Sequence, residues 1–249
     1  MPSCQTVDTG YAGERKKCIC PHPPEAEASA MKIDVQGKTL LITGASRGIG
    51  RALAESFVEG GAHVYGTGRT LESIAWMKDQ KVQGRTADVS RPGAVAEVID
   101  EIVKSHGKLD CLINNAGISS NTPASAFKDE EMDRIIDTNF KGVFRACQAY
   151  YKAQKKFGGS IINIASVLGI VGTPLASIYS GTKGAVVQLT RALAIEWAGS
   201  NFRINAICPG FIDTDMTTNI KDKPAVLEKA VSIIPMKRLG KPEEIAGAA

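Results

Sequence analysis

From residue 39 onward, short apolar runs alternate with stretches of helical spacing. The runs 39–43, 62–65, 82–86, 110–114, 160–164 and 203–207 each predict a strand of four or five residues. Ala52, Leu53, Phe57 and Val58 follow the first run at helical spacing and stop at Gly60-Gly61, a helix terminator. Longer helical patterns cover 130–156 and 177–197, the latter marked by Val186, Val187, Leu189 and Leu193. This βαβα order predicts an α/β fold: a doubly wound, Rossmann-like parallel sheet with helices on both faces. Ligands of such sheets bind beyond the carboxyl ends of the strands. Pro242 and the acids after it suit the first turn of a helix. The expectation is that this helix is cut short and that the final strand is lacking.

Residues 1–30 break the alternation. They hold Pro21, Pro23 and Pro24, little periodic apolar content and no signal-peptide core. A disordered extension is expected there, followed by one domain over 31–249. At 43% hydrophobic, 249 residues suffice for one sizeable core.

Charge and cysteines add only exclusions. The net charge of +4 is carried by scattered basic residues, which argues against a nucleic-acid partner. No apolar run is long enough to span a membrane, and the expected location is the cytoplasm. Cys4, Cys18 and Cys20 with His22 match no well-specified zinc spacing, so no metal is expected. Cys111, Cys147 and Cys208 fall in apolar contexts that suit free, reduced thiols.

Candidate chemistry begins at Gly44-Ala45-Ser46-Arg47-Gly48-Ile49-Gly50. Its first five residues fit the G-x-S-x-G elbow of a serine hydrolase. That reading needs a downstream histidine after an acid, and only His63 and His106 follow, both in unsuitable places. The alternative is a glycine-rich turn from strand to helix, whose peptide N–H groups face a nucleotide phosphate. Tyr179 and Lys183 stand four apart on a predicted helix, so phenol and ammonium share one face. Ser166 directly follows the fifth strand, Asn114-Asn115-Ala116-Gly117 ends the fourth, and Asn139 lies in a helical segment.

With Asp88-Val89 and Pro209-Gly210 followed by Thr214, these ordered motifs make the chain resemble the short-chain dehydrogenase/reductases over residues 33–249. The resemblance implies hydride transfer between a nicotinamide and a carbonyl or alcohol carbon. It implies that Tyr179 exchanges the proton, that Lys183 lowers the phenol pKa and binds the nicotinamide ribose, and that Ser166 holds the substrate oxygen. Asn139 is expected to anchor a water that relays protons to Lys183. Cofactor contacts are expected from Gly44, Ser46, Arg47, Gly48, Ile49, Gly50, Asp88, Val89, Asn115, Ala116, Gly117, Pro209, Gly210, Ile212 and Thr214, with Asn114 on the adenine ribose side. Gly68 replaces the acid with which NAD binders hold the ribose, and Arg69 follows it. Two guanidiniums, Arg47 and Arg69, suit a 2′-phosphate and favour NADP(H) over NAD(H).

The tail at 235–246 is similar to that of 3-oxoacyl-acyl carrier protein reductases, and also to that of sugar and polyol dehydrogenases. The leading expectation is an oxidoreductase reducing a 3-oxoacyl thioester on its carrier protein, or a similar ketone. A sugar or polyol dehydrogenase is the alternative enzyme. A non-catalytic nucleotide-binding or scaffold protein is the alternative if the chain truly ends at 249. Helices 130–156 and 177–197 are the pair most family members use to dimerise, so a homodimer or homotetramer is expected.

Overall fold

Six parallel strands form one sheet in the order β3-β2-β1-β4-β5-β6, in a computed structural model that describes residues 34–249. The predicted N-terminal extension, with its three cysteines and His22, lies outside the described residues. The strands are β1 (Thr39–Ile42), β2 (His63–Gly68), β3 (Gln83–Thr86), β4 (Cys111–Asn114), β5 (Gly159–Ile164) and β6 (Phe202–Ile207). Between and after them run helices α1 (Gly48–Glu59), α2 (Leu71–Ile74), α3 (Ala94–His106), α4 (Asp129–Ile136), α5 (Gly142–Gln154) and α6 (Ser177–Trp197). Short helices α7 (Thr218–Lys221), α8 (Pro224–Ser232) and α9 (Glu243–Ala246) follow β6.

Strand residues alternate between two cores, as buried parallel strands must. Leu41, Leu112 and Ile161 pack with α3, α5 and α6 on one face. Leu40, Ile42, Ile113 and Ile162 pack with Leu53 and Ala54 of α1 on the other, where Ala246 of α9 also rests. Because β1 pairs with both β2 and β4, the strand order reverses at β1. That reversal opens the crevice in which doubly wound sheets bind ligands.

The structure departs from the sequence pattern in two elements. Strand β2 runs on through Gly66, Thr67 and Gly68, past the predicted run at 62–65. The two glycines are strand residues without side chains because Met77 and Ser73 press on that face; a Cβ would meet their Sδ and Oγ at 2.9 and 2.5 Å. The predicted helix over 130–156 is interrupted between α4 and α5 by a π turn at Asp137–Lys141. Such single turns concentrate at functional sites.

A buried polar ladder ties the sheet to α6. Asn114 Nδ2 donates to Asn163 Oδ1 (2.9 Å), Asn163 Nδ2 to Thr190 Oγ1 (2.9 Å), and Thr190 Oγ1 to the Val186 carbonyl (2.8 Å). The side chain of Asn114 therefore turns into the core instead of toward a nucleotide, which corrects the expectation for that residue. Burial pushes the thiols of Cys111 and Cys147 up to about 12, so both stay protonated. Among the described residues, no helix is long and apolar enough to cross a membrane.

Replacing Thr190 by valine leaves the Asn163 amide without its acceptor in a fully buried position. The expected loss is about 1–3 kcal/mol of folding free energy, read as a lower urea midpoint with an unchanged slope.

Candidate active site

The turn after β1 is shaped by the end of β4. Asn115 Nδ2 donates to the carbonyls of Thr43 (3.0 Å) and Gly44 (2.9 Å), and Thr43 Oγ1 accepts from the N–H groups of Asn115 (3.1 Å) and Ala116 (3.2 Å). Gly44 has φ +65°, and a Cβ there would lie 2.7 Å from Ala116 Cα, so only glycine fits. The backbone of this turn consequently faces the crevice and leads into the N-terminus of α1.

Two adjoining cavities follow. The larger, about 980 Å³, is bordered by Gly44, Ser46, Arg47, Arg69, Asp88, Val89, Asn115, Ala116 and Gly117. The smaller, about 150 Å³, is bordered by Gly48, Ile49, Ser166, Tyr179, Lys183, Pro209, Gly210, Ile212 and Thr214. Arg47, Asn115 and Gly117 line both, so the cavities meet there. Every expected cofactor residue except Gly50 and the core-facing Asn114 lines one of them. Gly50 instead lies beneath the turn, against Asn115 and the Gly44 carbonyl. Trp76, Arg134 and Thr138 also border the larger cavity. Nothing in their local sequence points to a site, since each is brought there by tertiary packing alone.

Lys183 is the most constrained charged group in the site. Its side chain is 4% exposed, and Nζ donates to the Ile164 carbonyl at the end of β5 (2.7 Å). Burial brings its ammonium down to about 8 from 10.5, with the nearby Cys208 opposing in part. Nζ stands 5.8 Å from the centre of the Tyr179 ring. The Tyr179 phenol is pushed above its ordinary value by burial, while a hydrogen bond from Ser166 pulls it back in part. The lysine was expected to favour the phenolate; in this structure burial dominates and the phenol keeps its proton at neutral pH.

Ser166 follows β5 directly and caps a short 3-10 turn, accepting from the Leu168 N–H at 3.1 Å. Asn139 sits in the π turn and is fully buried. Its Oδ1 accepts from the Ile118 N–H (2.9 Å), and its Nδ2 donates to the Ile118 carbonyl (2.8 Å) and to Thr182 Oγ1 (3.2 Å). Thr182 Oγ1 in turn donates to the Tyr179 carbonyl (2.8 Å). Both ends of the amide are thus engaged within the protein. The side chain positions the loop after β4 against the turn of α6 that carries Tyr179 and Lys183.

The cation pair assigned to a 2′-phosphate is present at the mouth of the larger cavity, and each member faces an acid. Arg47 pairs with Asp215 across the cleft (Nε–Oδ2 3.4 Å, both largely exposed). The charge of Arg69 reaches Asp88, whose carboxyl is held low first by the Ser90 hydroxyl. Among the described residues, no group of three or more His, Cys, Asp or Glu side chains is arranged to hold a metal.

Comparison with known proteins agrees with this geometry. Residues 38–225 match the short chain dehydrogenase family. A 3-oxoacyl-[acyl-carrier-protein] reductase of Thermotoga maritima is 38% identical over 219 residues, covering 85% of this chain and 88% of that protein. A tropinone reductase homolog of Arabidopsis thaliana is 39% identical over 84% of this chain and 83% of its own length. The solved structure of ElxO with NADP bound superposes with a TM-score of 0.80 at 33% identity, covering 86% of this chain and 90% of ElxO.

A lysine held at about 8 in the fold and near 10.5 when unfolded binds its proton more readily in the unfolded chain. Its contribution to stability therefore rises with pH between those values, by an amount on the order of 3 kcal/mol at most. Lys183→Met is expected to unfold at an equal or higher denaturant concentration than the parent at pH 7. The advantage of the variant should shrink as the pH is raised from 8 to 10.5.

Proposed function

The chain belongs to the short-chain dehydrogenase family of oxidoreductases, and from that membership we propose that it is an NADP(H)-dependent reductase of 3-oxoacyl thioesters or similar ketones. The observation that carries the reading is the convergence of Ser166, Tyr179 and Lys183 on one cavity, directly beyond the carboxyl ends of β5 and β6.

The residues fit a dinucleotide. The glycine turn at Gly44 borders a cavity large enough for the adenosine half, and that cavity continues into the one that holds Tyr179. Arg47, Arg69 and Ser46 would hold the phosphates of the adenosine half, Asp88 and Val89 its base, and Ile212 and Thr214 the nicotinamide end. When bound, the reduced nicotinamide supplies a hydride to the carbonyl carbon.

The chain's own groups manage the oxygen. Ser166 donates a hydrogen bond to the carbonyl oxygen, where negative charge develops. Tyr179 then delivers its phenolic proton to that oxygen, which becomes the alcohol. A buried phenol that keeps its proton at neutral pH suits the acid of a reduction. The Lys183 ammonium offsets the negative charge left on the phenol oxygen.

Two further features support the finer reading. At Gly68, where an NAD binder would place an acid, a Cβ would already meet Ser73 Oγ at 2.5 Å and Ile74 Cγ2 at 2.7 Å, so no carboxylate fits beside Arg69. Met216 lines the smaller cavity, and Ile170, Val171 and Leu175 lie on the segment between Ser166 and α6; all are half or more exposed, which suits an acyl chain better than a sugar. Phe144 on α5 and Ile195 on α6 are also exposed, an apolar pair that self-association through these helices would cover.

Tyr179→Phe is expected to lower kcat with acetoacetyl thioester by about 10²–10⁴-fold while NADPH binding is kept. In the same panel glucose, gluconate and sorbitol should be inactive with NADP; turnover of those alone would sink the ketone reading. Arg69→Gln should raise the KM for NADPH about tenfold or more and leave that for NADH nearly unchanged, since only the former carries the charge to be paired.

A further inference from the structure

The similarity of the 235–246 tail to that of several reductases leaves its physical role open. In the structure it is built around one carboxylate. Glu244 accepts from both guanidinium nitrogens of Arg238 (2.7 Å each) and from the Lys241 N–H (2.7 Å). Arg238 also donates to the Leu239 carbonyl at 3.1 Å. The three donors straddle Gly240 and hold it at the apex of a tight loop. The Arg238 guanidinium and the Lys241 N–H keep the Glu244 carboxyl down at about 2, so the arrangement stays ionised through the physiological range.

Gly240 is where this loop meets the cofactor cavity. Its N–H donates to the Phe211 carbonyl (2.9 Å), and its carbonyl accepts from the Asp213 N–H (2.8 Å). These bonds form an isolated parallel bridge to Ile212. A Cβ at position 240 would lie 2.6 Å from Ile212 Cδ1, so a side chain there would push the end of Ile212 toward the cavity or aside. On its far side Ile212 lines the cavity that holds Tyr179 and Lys183. Within the same loop, Thr217 Oγ1 fixes the turn by donating to the carbonyls of Ile212 (2.8 Å) and Thr214 (2.9 Å). The loop is therefore shaped from inside by Thr217 and tethered from outside by Gly240.

We propose that Arg238 and Glu244 are positioning residues: their bidentate pair clamps Gly240 so that its backbone sets the Ile212–Thr214 wall against the nicotinamide end of the cofactor. This rests on the nicotinamide reading of the cavity. An isolated exposed ion pair contributes little to stability. Here the pair has fork-to-fork geometry and acts on a backbone bridge two residues away, so its effect falls on ligand placement more than on folding.

The two halves of the cofactor separate this role from a general structural one. NADPH reaches the Ile212–Thr214 wall, whereas adenosine 2′,5′-bisphosphate occupies only the larger cavity. Dissociation constants for both ligands are measured by calorimetry on the full chain, for Arg238→Met, Glu244→Gln, the double variant and Arg238→Lys. Thermal melts of each serve as a check on folding. NADPH should bind about five- to tenfold more weakly to each single variant, and the double variant should be no worse than either. Adenosine 2′,5′-bisphosphate should be unaffected within twofold, and Arg238→Lys, which keeps the charge but not the fork, should recover the loss only in part. Gly240→Ala, which leaves the ion pair intact and crowds Ile212, should reproduce the selective loss. Unchanged NADPH affinity, or equal weakening of both ligands, overturns the clamp. Failure of the parent chain to bind either ligand overturns the nicotinamide reading itself, and the clamp with it.

Discussion

An ammonium group without water is the constraint around which this molecule is arranged. Lys183 lies almost wholly out of solvent, where a charge is tolerated only with close partners. One partner is supplied by the sheet, the Ile164 carbonyl at the end of β5. Burial lowers the amine's affinity for a proton. The surrounding structure must therefore be rigid for reasons of its own. Gly117, Asn139 and Thr182 supply that rigidity: a Cβ on Gly117 would touch both Asn139 Oδ1 (3.4 Å) and Lys183 Nζ (3.5 Å), so the loop after β4 rests on amide and amine together. Fold and chemistry meet in that layer.

The same loop serves the other half of the cleft. Asn115 joins the end of β4 to the glycine turn after β1, and Asn114 beside it anchors the core ladder to α6. Two adjacent asparagines thus face opposite ways, one organising the glycine turn after β1 and the other the helix that bears Tyr179 and Lys183. Strand alternation produces this division without further design, because consecutive residues leave a strand on opposite sides. It explains how one short run can fix the distance between cofactor loop and proton donor.

Much of this was legible in the chain. Six strands and the doubly wound order followed from apolar runs interleaved with helical spacing, and Ser166, Tyr179 and Lys183 do share one cavity. What stayed hidden depends on contacts that no local pattern records. The extension of β2 through Gly66 and Gly68 answers to Met77 and Ser73 pressing from another element. The π turn at Asp137–Lys141 preserves an ordinary helical composition and shows itself only through the bonds of Asn139. The inward turn of Asn114, and the arrival of Trp76 at the larger cavity, are likewise products of packing. Burial raises the Tyr179 phenol and lowers the Lys183 ammonium, and neither effect can be counted from spacing.

The cations of the cleft illustrate how a site prepares for an anion before meeting one. Arg47 and Arg69 are exposed, and each is met by a carboxylate, Asp215 across the cleft and Asp88 beside it. A pair between exposed side chains is worth only about 0–1 kcal/mol, so on the proposed reading a cofactor phosphate would displace Asp215 at little cost and gain stronger, charge-assisted bonds. Had the carboxylates been buried, the exchange would strand a charge and oppose binding. Since Asp215 belongs to the loop that also carries Ile212 and Thr214, whatever engages Arg47 acts on the wall beside Tyr179 as well. That segment is held in place from its far side by the backbone of Gly240.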